Sequence, residues 1–256
     1  MKQIFLLMLS ALILVFSCAD LDRDNLLDPQ NPNSYTDRAV LVELFINDST
    51  GYEYCEHAIE TIEEIGLREE NDGKLFVLEY HLTNAGWNDK FASSENNQRY
   101  HEYIPASSQR GIPDAFFNGL GLRVQGASEV NIYHRYSAAV EQLIGDKGYF
   151  LFEAEKEIVD NFLNLDVTIA RLGNSEKKNL TVNAVVFEDL GRQGQRYVVR
   201  KVLPRQTISS FDSGQVKNYR FSASLSNVES IDQTYVLVFL QDQNKTTRDI
   251  YQVAKF

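Results

Sequence analysis

The run Ala39-Val40-Leu41-Val42-Glu43-Leu44-Phe45-Ile46 (AVLVELFI) decides how the chain is read. It is apolar apart from Glu43 and lacks a period-two alternation, which predicts a short strand buried on both faces of a sheet. Cys55, Ile59, Ile62 and Ile65 then recur at three- and four-residue spacing, predicting a helix that ends near Gly66. KLFVLEYHL, Lys74 to Leu82, is a second strand of the same kind. Two buried strands joined through a helix form a parallel pair with a right-handed crossover, so this part of the chain reads as α/β.

Downstream, a loop holding Gly86-Trp87 leads to a polar helical stretch from Ser93 to Ile104. Gly111-Ile112-Pro113 opens a short strand, Asp114 to Asn118, and Leu122-Arg123-Val124 is placed to pair beside it. Ser128 caps a further helix with Val130, Tyr133, Val140, Leu143 and Ile144 on one stripe. From about Lys147 the pattern changes. YRFSASL (Tyr219 to Leu225) alternates strictly, LDVTIA (Leu165 to Ala170) and LTVNAVVFED (Leu180 to Asp189) nearly so, and TYVLVFLQD and DIYQVAKF flank a polar turn around Asn244-Lys245. Serial strands at this spacing predict an antiparallel β-sandwich over 147–256.

Working back to the N-terminus, Ile4 to Phe16 is an apolar run broken only by Ser10, with Lys2 ahead of it. It is too short to span a bilayer and is shaped like the core of a signal peptide. Val15-Phe16-Ser17-Cys18 resembles the lipobox of bacterial lipoproteins, in which a small residue precedes a cysteine that is acylated and becomes the mature N-terminus; Phe16 departs from the usual small or aliphatic residue. Residues 1–17 are therefore expected to be removed and Cys18 to carry lipid, which holds a folded body on a membrane without a spanning helix. Ala19 directly after Cys18 favours the outer membrane of a bacterial envelope. Residues 18–36, rich in Asp, Asn and Pro, read as a solvated tether, and Asp20, Asp22 and Asp24 lack the glycine and terminal glutamate of a calcium loop. The formal charge of -11, from 25 Lys+Arg against 36 Asp+Glu with no basic run, excludes a nucleic-acid duplex as partner.

The order strand, helix with a cysteine in its first turn, strand, helix, Pro-led strand resembles the thioredoxin fold over Val40 to Gly126. More narrowly, VLVELF, HLTNAGWNDKFAS and GIPDAFFNG are similar to a bacterial envelope family of thioredoxin-like proteins. Its members combine a VELF-type strand, a C-x-x-C motif, a histidine closing the next strand, a G-W-x-D-P-F-A-S loop and a Pro-led strand ending in Asn-Gly. The whole layout also resembles an outer-membrane lipoprotein group with a C-terminal β domain. The expected fold class is thus an α/β thioredoxin-like domain, 37–146, followed by an all-β sandwich domain, 147–256. The resemblance implies a dithiol site, and here the sequence departs from it: the motif reads Tyr52-Glu53-Tyr54-Cys55. Cys55 matches the resolving thiol, and Tyr52 stands where the attacking thiol belongs. Without that thiol a mixed disulfide has no exit, so a dithiol disulfide oxidoreductase is not expected.

Cys55 alone reads either as a small buried hydrophobe or as a single reactive thiol. His81 closes the second strand near Trp87 and Asp89, and it reads as a histidine bonded to that loop or as an acid-base or metal group. No H-x-x-x-H or clustered ligand spacing accompanies it, and neither a metal nor a cofactor is expected. The resemblance implies that the Ile112-Pro113 bond is cis and lines a groove taking extended polypeptide, with Tyr52, Tyr54, His81, Trp87 and Asp89 around it. The expected function is a membrane-anchored envelope lipoprotein whose redox-degenerate domain binds an envelope protein or extended peptide, or serves assembly. The alternative is a monothiol envelope redox enzyme or sensor using Cys55.

Overall fold

The protein is described by a computed structural model covering residues 23–49, 53–192 and 194–256. The expected signal peptide 1–17, the expected lipidation site Cys18 and Tyr52 therefore lie outside the described residues. In chain order the elements are β1 (Thr36–Asp37), β2 (Val40–Ile46), α1 (Glu53–Gly66), β3 (Leu75–His81), α2 (Ser94–Tyr103), β4 (Asp114–Phe117), β5 (Leu122–Gln125), α3 (Ile132–Leu143), β6 (Lys147–Gly148), β7 (Phe150–Val159), β8 (Phe162–Arg171), β9 (Lys177–Glu188), β10 (Val198–Val202), β11 (Gln206–Phe211), β12 (Val216–Ser224), β13 (Thr234–Asp242) and β14 (Ile250–Lys255). Ser93 caps α2 by accepting from the Asn96 amide. The third helix begins at Ile132 with Asn131 at its cap and no side-chain cap bond, so the expected Ser128 cap is not formed; Ser128 lies in the turn before it, where its carbonyl accepts from the Asn131 and Ile132 amides.

The decisive run is a strand in which every residue of Val40–Ile46 is buried, and it pairs in parallel with β3 in the register Val40↔Leu75 through Ile46↔His81. On its other side β2 pairs antiparallel with β4, and β4 with β5. Alternate residues serve opposite faces. Val40, Val42, Leu44 and Ile46 meet Ile59, Ile62 and Ile65 of α1 and Tyr136 and Val140 of α3, while Leu41 and Phe45 meet Tyr100 and Tyr103 of α2.

The sheet does not stop there. Its order is β14-β13-β9-β10-β3-β2-β4-β5, with β11 also pairing β9, so nine strands from both halves of the chain form one mixed sheet. The junction is the parallel contact Val198↔Glu79 between β10 and β3, supported by the Glu79 amide donating to the Tyr197 carbonyl at 2.8 Å. A second sheet, β12-β8-β7, packs Leu163, Leu165, Val167 and Phe221 onto Val182, Ala184, Val236 and Val238 of the large sheet. That layer is the sandwich.

The expected thioredoxin-like α/β domain followed by a separate all-β sandwich is thereby corrected. Strands hold 41% of the described residues against 20% in helix of every kind, and no thioredoxin-like α/β domain is present as a unit among them. The physical reason is that β10 hydrogen-bonds to β3. The backbone edge that would have bounded an N-terminal domain is instead paired with C-terminal strands.

The described part of the expected tether also differs from free linker. Asn25, Asp28 and Asn31 each accept from the backbone amide two residues on, folding the stretch into turns. Asn31 and Ser34 are buried, and Ser34 Oγ donates to the Leu26 carbonyl at 2.5 Å while accepting from the Gly173 amide at 2.7 Å. Residues 25–34 are docked on the sandwich. No helix among the described residues is long and apolar enough to cross a membrane.

Candidate functional site

Parallel pairing brings the carboxyl ends of β2 and β3 side by side, so the loops that leave them meet over the first turn of α1. Buried Asn47 ties them at the base: its Nδ2 donates to the Leu82 carbonyl at 2.7 Å and its Oδ1 accepts from the Ser49 amide at 2.8 Å. Ser49 Oγ in turn accepts from the Asn88 amide at 2.9 Å. Asp89 is the knot of the arrangement. One carboxylate oxygen receives the Asp48 amide at 2.7 Å and stands 2.8 Å from His81 Nδ1, and the other receives the Phe91 amide at 2.9 Å. Burial alone would raise the Asp89 pKa, but the His81 hydrogen bond and charge, with the two amides, hold it below the usual carboxylate range.

His81 is wholly buried, packed edge-on against the Phe91 ring at 5.3 Å, and its Nε2 has no hydrogen-bond partner. Its backbone carbonyl accepts from Asn96 Nδ2 at 2.9 Å, which joins the site to α2. The histidine is thus a bonded loop fastener. Cys55 occupies the first turn of α1, only 1% exposed, and is a free thiol. Burial pushes its pKa up to about 12, and the carboxylates of Asp48 and Asp89 act in the same direction against a hydrogen bond from the Asn47 backbone. A thiol held there is protonated near neutrality and is not the nucleophile that thiol chemistry requires.

Of the residues singled out in the sequence, Cys55, His81 and Asp89 converge here. Trp87 is half-buried against the core under α2, and Ile112 packs against both that core and the one holding Cys55. The Ile112–Pro113 bond is cis, Pro113 is buried, and its carbonyl accepts from the Gly126 amide at 2.7 Å. Tyr54 is 58% exposed. Among the described residues no group of three or more His, Cys, Asp or Glu is placed to hold a metal.

Of the buried ionisable groups beyond the residues singled out as candidates, Glu43 and Glu79 lie on the two strands that carry the site. Glu43 is gripped by Arg99 from α2, Nε to Oε1 and Nη2 to Oε2 at 2.9 Å each, with the Tyr103 hydroxyl bonded to the same carboxylate and Gln241 bonded to Arg99 at 3.0 Å. A lone acid inside VLVELFI was the available signal, because a buried carboxylate needs a cation or must be neutral. Glu79, on the α1 face beside His81, has no exposure, and neither of its oxygens has a hydrogen-bond partner. Burial and the neighbouring Glu63 raise its pKa well above the ordinary glutamate range, against the opposing pull of the Tyr197 backbone and with Asp189 and Asp48 adding to the rise. Clefts of about 270 Å3 beside α2 and about 330 Å3 near the start of β3 take no residue from the 47–49 or 83–92 loops.

No protein-family model and no curated protein matches the chain. Among solved structures, HBP35 of Porphyromonas gingivalis is similar with a TM-score of 0.63 at 15% identity, covering 86% of this chain and 75% of that one. Protein AGR_C_4864 from Agrobacterium tumefaciens is similar with a TM-score of 0.51 at 22% identity, covering 85% of this chain and 93% of that one. A domain of the outer membrane lipoprotein Omp28 from Porphyromonas gingivalis covers 42% of this chain at 18% identity with a TM-score of 0.33, a likeness too low for any inference. The mixed sheet with its sandwich layer is thus a fold this chain shares with the first two proteins.

Proposed function

We propose that the protein is a lipid-anchored bacterial envelope lipoprotein whose folded body binds a protein partner and performs no thiol chemistry. The observation that carries the non-catalytic part is the state of Cys55: buried, protonated and walled in by Asp48, Asp89 and Tyr136. The His81–Asp89 pair beside it is spent on holding the loop, with Asp89 fully engaged by backbone amides. What remains accessible is the outer side of the pinned loops, where Thr83 to Gly86 are exposed and Trp87 is half-buried, and the exposed Tyr54 on the first turn of α1. Loops already fixed by hydrogen bonds lose little conformational freedom when a partner docks, and aromatic side chains supply contact area. The anchor rests on Lys2, the apolar run Ile4 to Phe16 and Ser17-Cys18.

Two variants test the reading in the bacterium. Cys18→Ala is expected to leave the protein unprocessed or released from membranes, and wild-type fractionation and migration of that variant would remove the anchor. A photo-crosslinking residue at Tyr54 or Trp87 is expected to give one discrete adduct that the same residue at Val159 does not give. The same adduct pattern at all three positions, or none at Tyr54 and Trp87, would remove the binding face.

A further inference from the structure

The docked N-terminal segment makes one end of the sandwich a distinct surface. Gly214 has φ +71°, and a Cβ there would stand 2.9 Å from the Leu27 carbonyl oxygen and 3.6 Å from the Pro29 ring, so the 213–214 turn receives residues 27–29 directly. Ser213 hydrogen-bonds the Gly173 carbonyl, Gly173 holds Ser34, and Tyr149 packs on Gly173. This end carries exposed apolar side chains: Leu26 and Leu27 at 37% and 36%, Tyr149 at 39% and Val216 at 47%. The segment enters the fold at β1, paired with β6, just ahead of the amino end of β2. The loops proposed to bind a partner lie at the other end of β2.

We infer that this end of the sandwich, with Leu26, Leu27, Tyr149 and Val216, faces the lipid bilayer, and that the docked segment holds the 83–92 loops away from it. The inference rests on the anchor proposed at Cys18. Only the residues between Cys18 and Asn25 separate that anchor from the docked segment, a chain that can span at most about 25 Å whatever its course. A body held so closely presents a fixed end. The three-stranded sheet carries a second apolar pair, Val159 at 50% and Phe162 at 45%, but at the far end of ten-residue strands, about 30 Å away. Both ends meet the membrane together only if the sheet lies flat, and its outward face carries Glu153, Glu155, Glu157 and Asp166, with Arg220 committed to Asp166. Laying those carboxylates on an anionic lipid surface is unfavourable, so the charge of that face disfavours the flat orientation.

The test uses the full-length lipidated protein reconstituted into phosphatidylethanolamine–phosphatidylglycerol vesicles that contain nitroxide-labelled lipid. An environment-sensitive fluorophore is attached in turn at Leu27→Cys, Val216→Cys, Phe162→Cys and Ala85→Cys. Quenching by the lipid nitroxide is expected to be at least twofold greater at positions 27 and 216 than at 162 and 85. Equal quenching at all four, or greater quenching at 162, in protein that floats with the vesicles would overturn the orientation and leave the anchor standing. Protein that bears no lipid and does not float would overturn the anchor and the orientation with it. Adding Ser34→Ala and Gly214→Val to the 216 and 162 reporters is expected to flatten their difference without loss of flotation. A difference that survives undocking overturns the part assigned to the docked segment.

Discussion

Glu43 and Glu79 stand on adjacent strands, Glu79 paired with Leu44, the neighbour of Glu43, and they are treated in opposite ways. Glu43 points toward α2, which supplies the Arg99 guanidinium and the Tyr103 hydroxyl, and the carboxylate is fully bonded. Glu79 points toward α1 and the loop before β10, where the nearby ionisable groups are Glu63, Asp189, Asp48 and Tyr197, and burial beside the acids favours its neutral form. The helix facing a sheet therefore decides whether a buried acid is a charged fastener or a suppressed charge. The α2 face is locked by ion pairing, and the α1 face, which carries the candidate site, is sealed by burial.

The largest effect is expected from Arg99→Met, which strands the Glu43 carboxylate in an apolar layer. Breaking one partner of a buried ion pair costs about 3–5 kcal/mol, read as a lower urea midpoint. The double variant Glu43→Met/Arg99→Met is expected to recover most of that loss. A single variant with wild-type stability would show the network to be incidental.

Glu79→Met sharpens the contrast from the other side, with a gain expected at neutral pH of about 1 kcal/mol or more, because an apolar side chain replaces an unbonded carboxyl. The sign follows from linkage: the folded pKa is raised, so the unfolded chain releases this proton first. Wild-type stability should then fall as pH rises above the ordinary glutamate value, and the variant should lose that part of the slope. Equal slopes in the two proteins would contradict the assignment.

Asp89→Asn is expected to cost about 1–2 kcal/mol through weaker bonds to His81, Asp48 and Phe91. The folded pKa of Asp89 is depressed, so its contribution is present above the unfolded value and is lost as pH falls through the folded one. Acid unfolding of the variant should be correspondingly less steep. Identical acid transitions would mean that the loop does not depend on this carboxylate.

How much of this was legible follows from where the information resides. The apolar run Val40–Ile46, the strand over Leu75–His81, the α1 stripe and the helical stretch beginning at Ser93 were readable because each is local. The long strand β7 was missed, since its Glu- and Lys-rich outward face, FLFEAEKEIV, hides the alternation. The short strands β10 and β11 carried too few residues to register a period. The join of β10 to β3 leaves no local mark, being a single bridge between residues 198 and 79, and that join runs against the expected fold class. At the site, Cys55, His81 and Asp89 could be singled out from type and position. The grip of Arg99 on Glu43 could not, because it links residues 56 positions apart on a helix that reads as merely polar.

The most direct test of the central claim, that burial has silenced the thiol chemistry of this face, is the rate at which Cys55 reacts with a soluble aromatic disulfide in the native full-length protein at neutral pH. With the thiol 1% exposed and its pKa pushed up to about 12, modification is expected only as the protein unfolds, at a rate that follows unfolding and not reagent concentration. Stoichiometric modification of folded protein, first order in reagent and faster than a free cysteine at the same pH, would contradict the account and restore Cys55 as a reactive group.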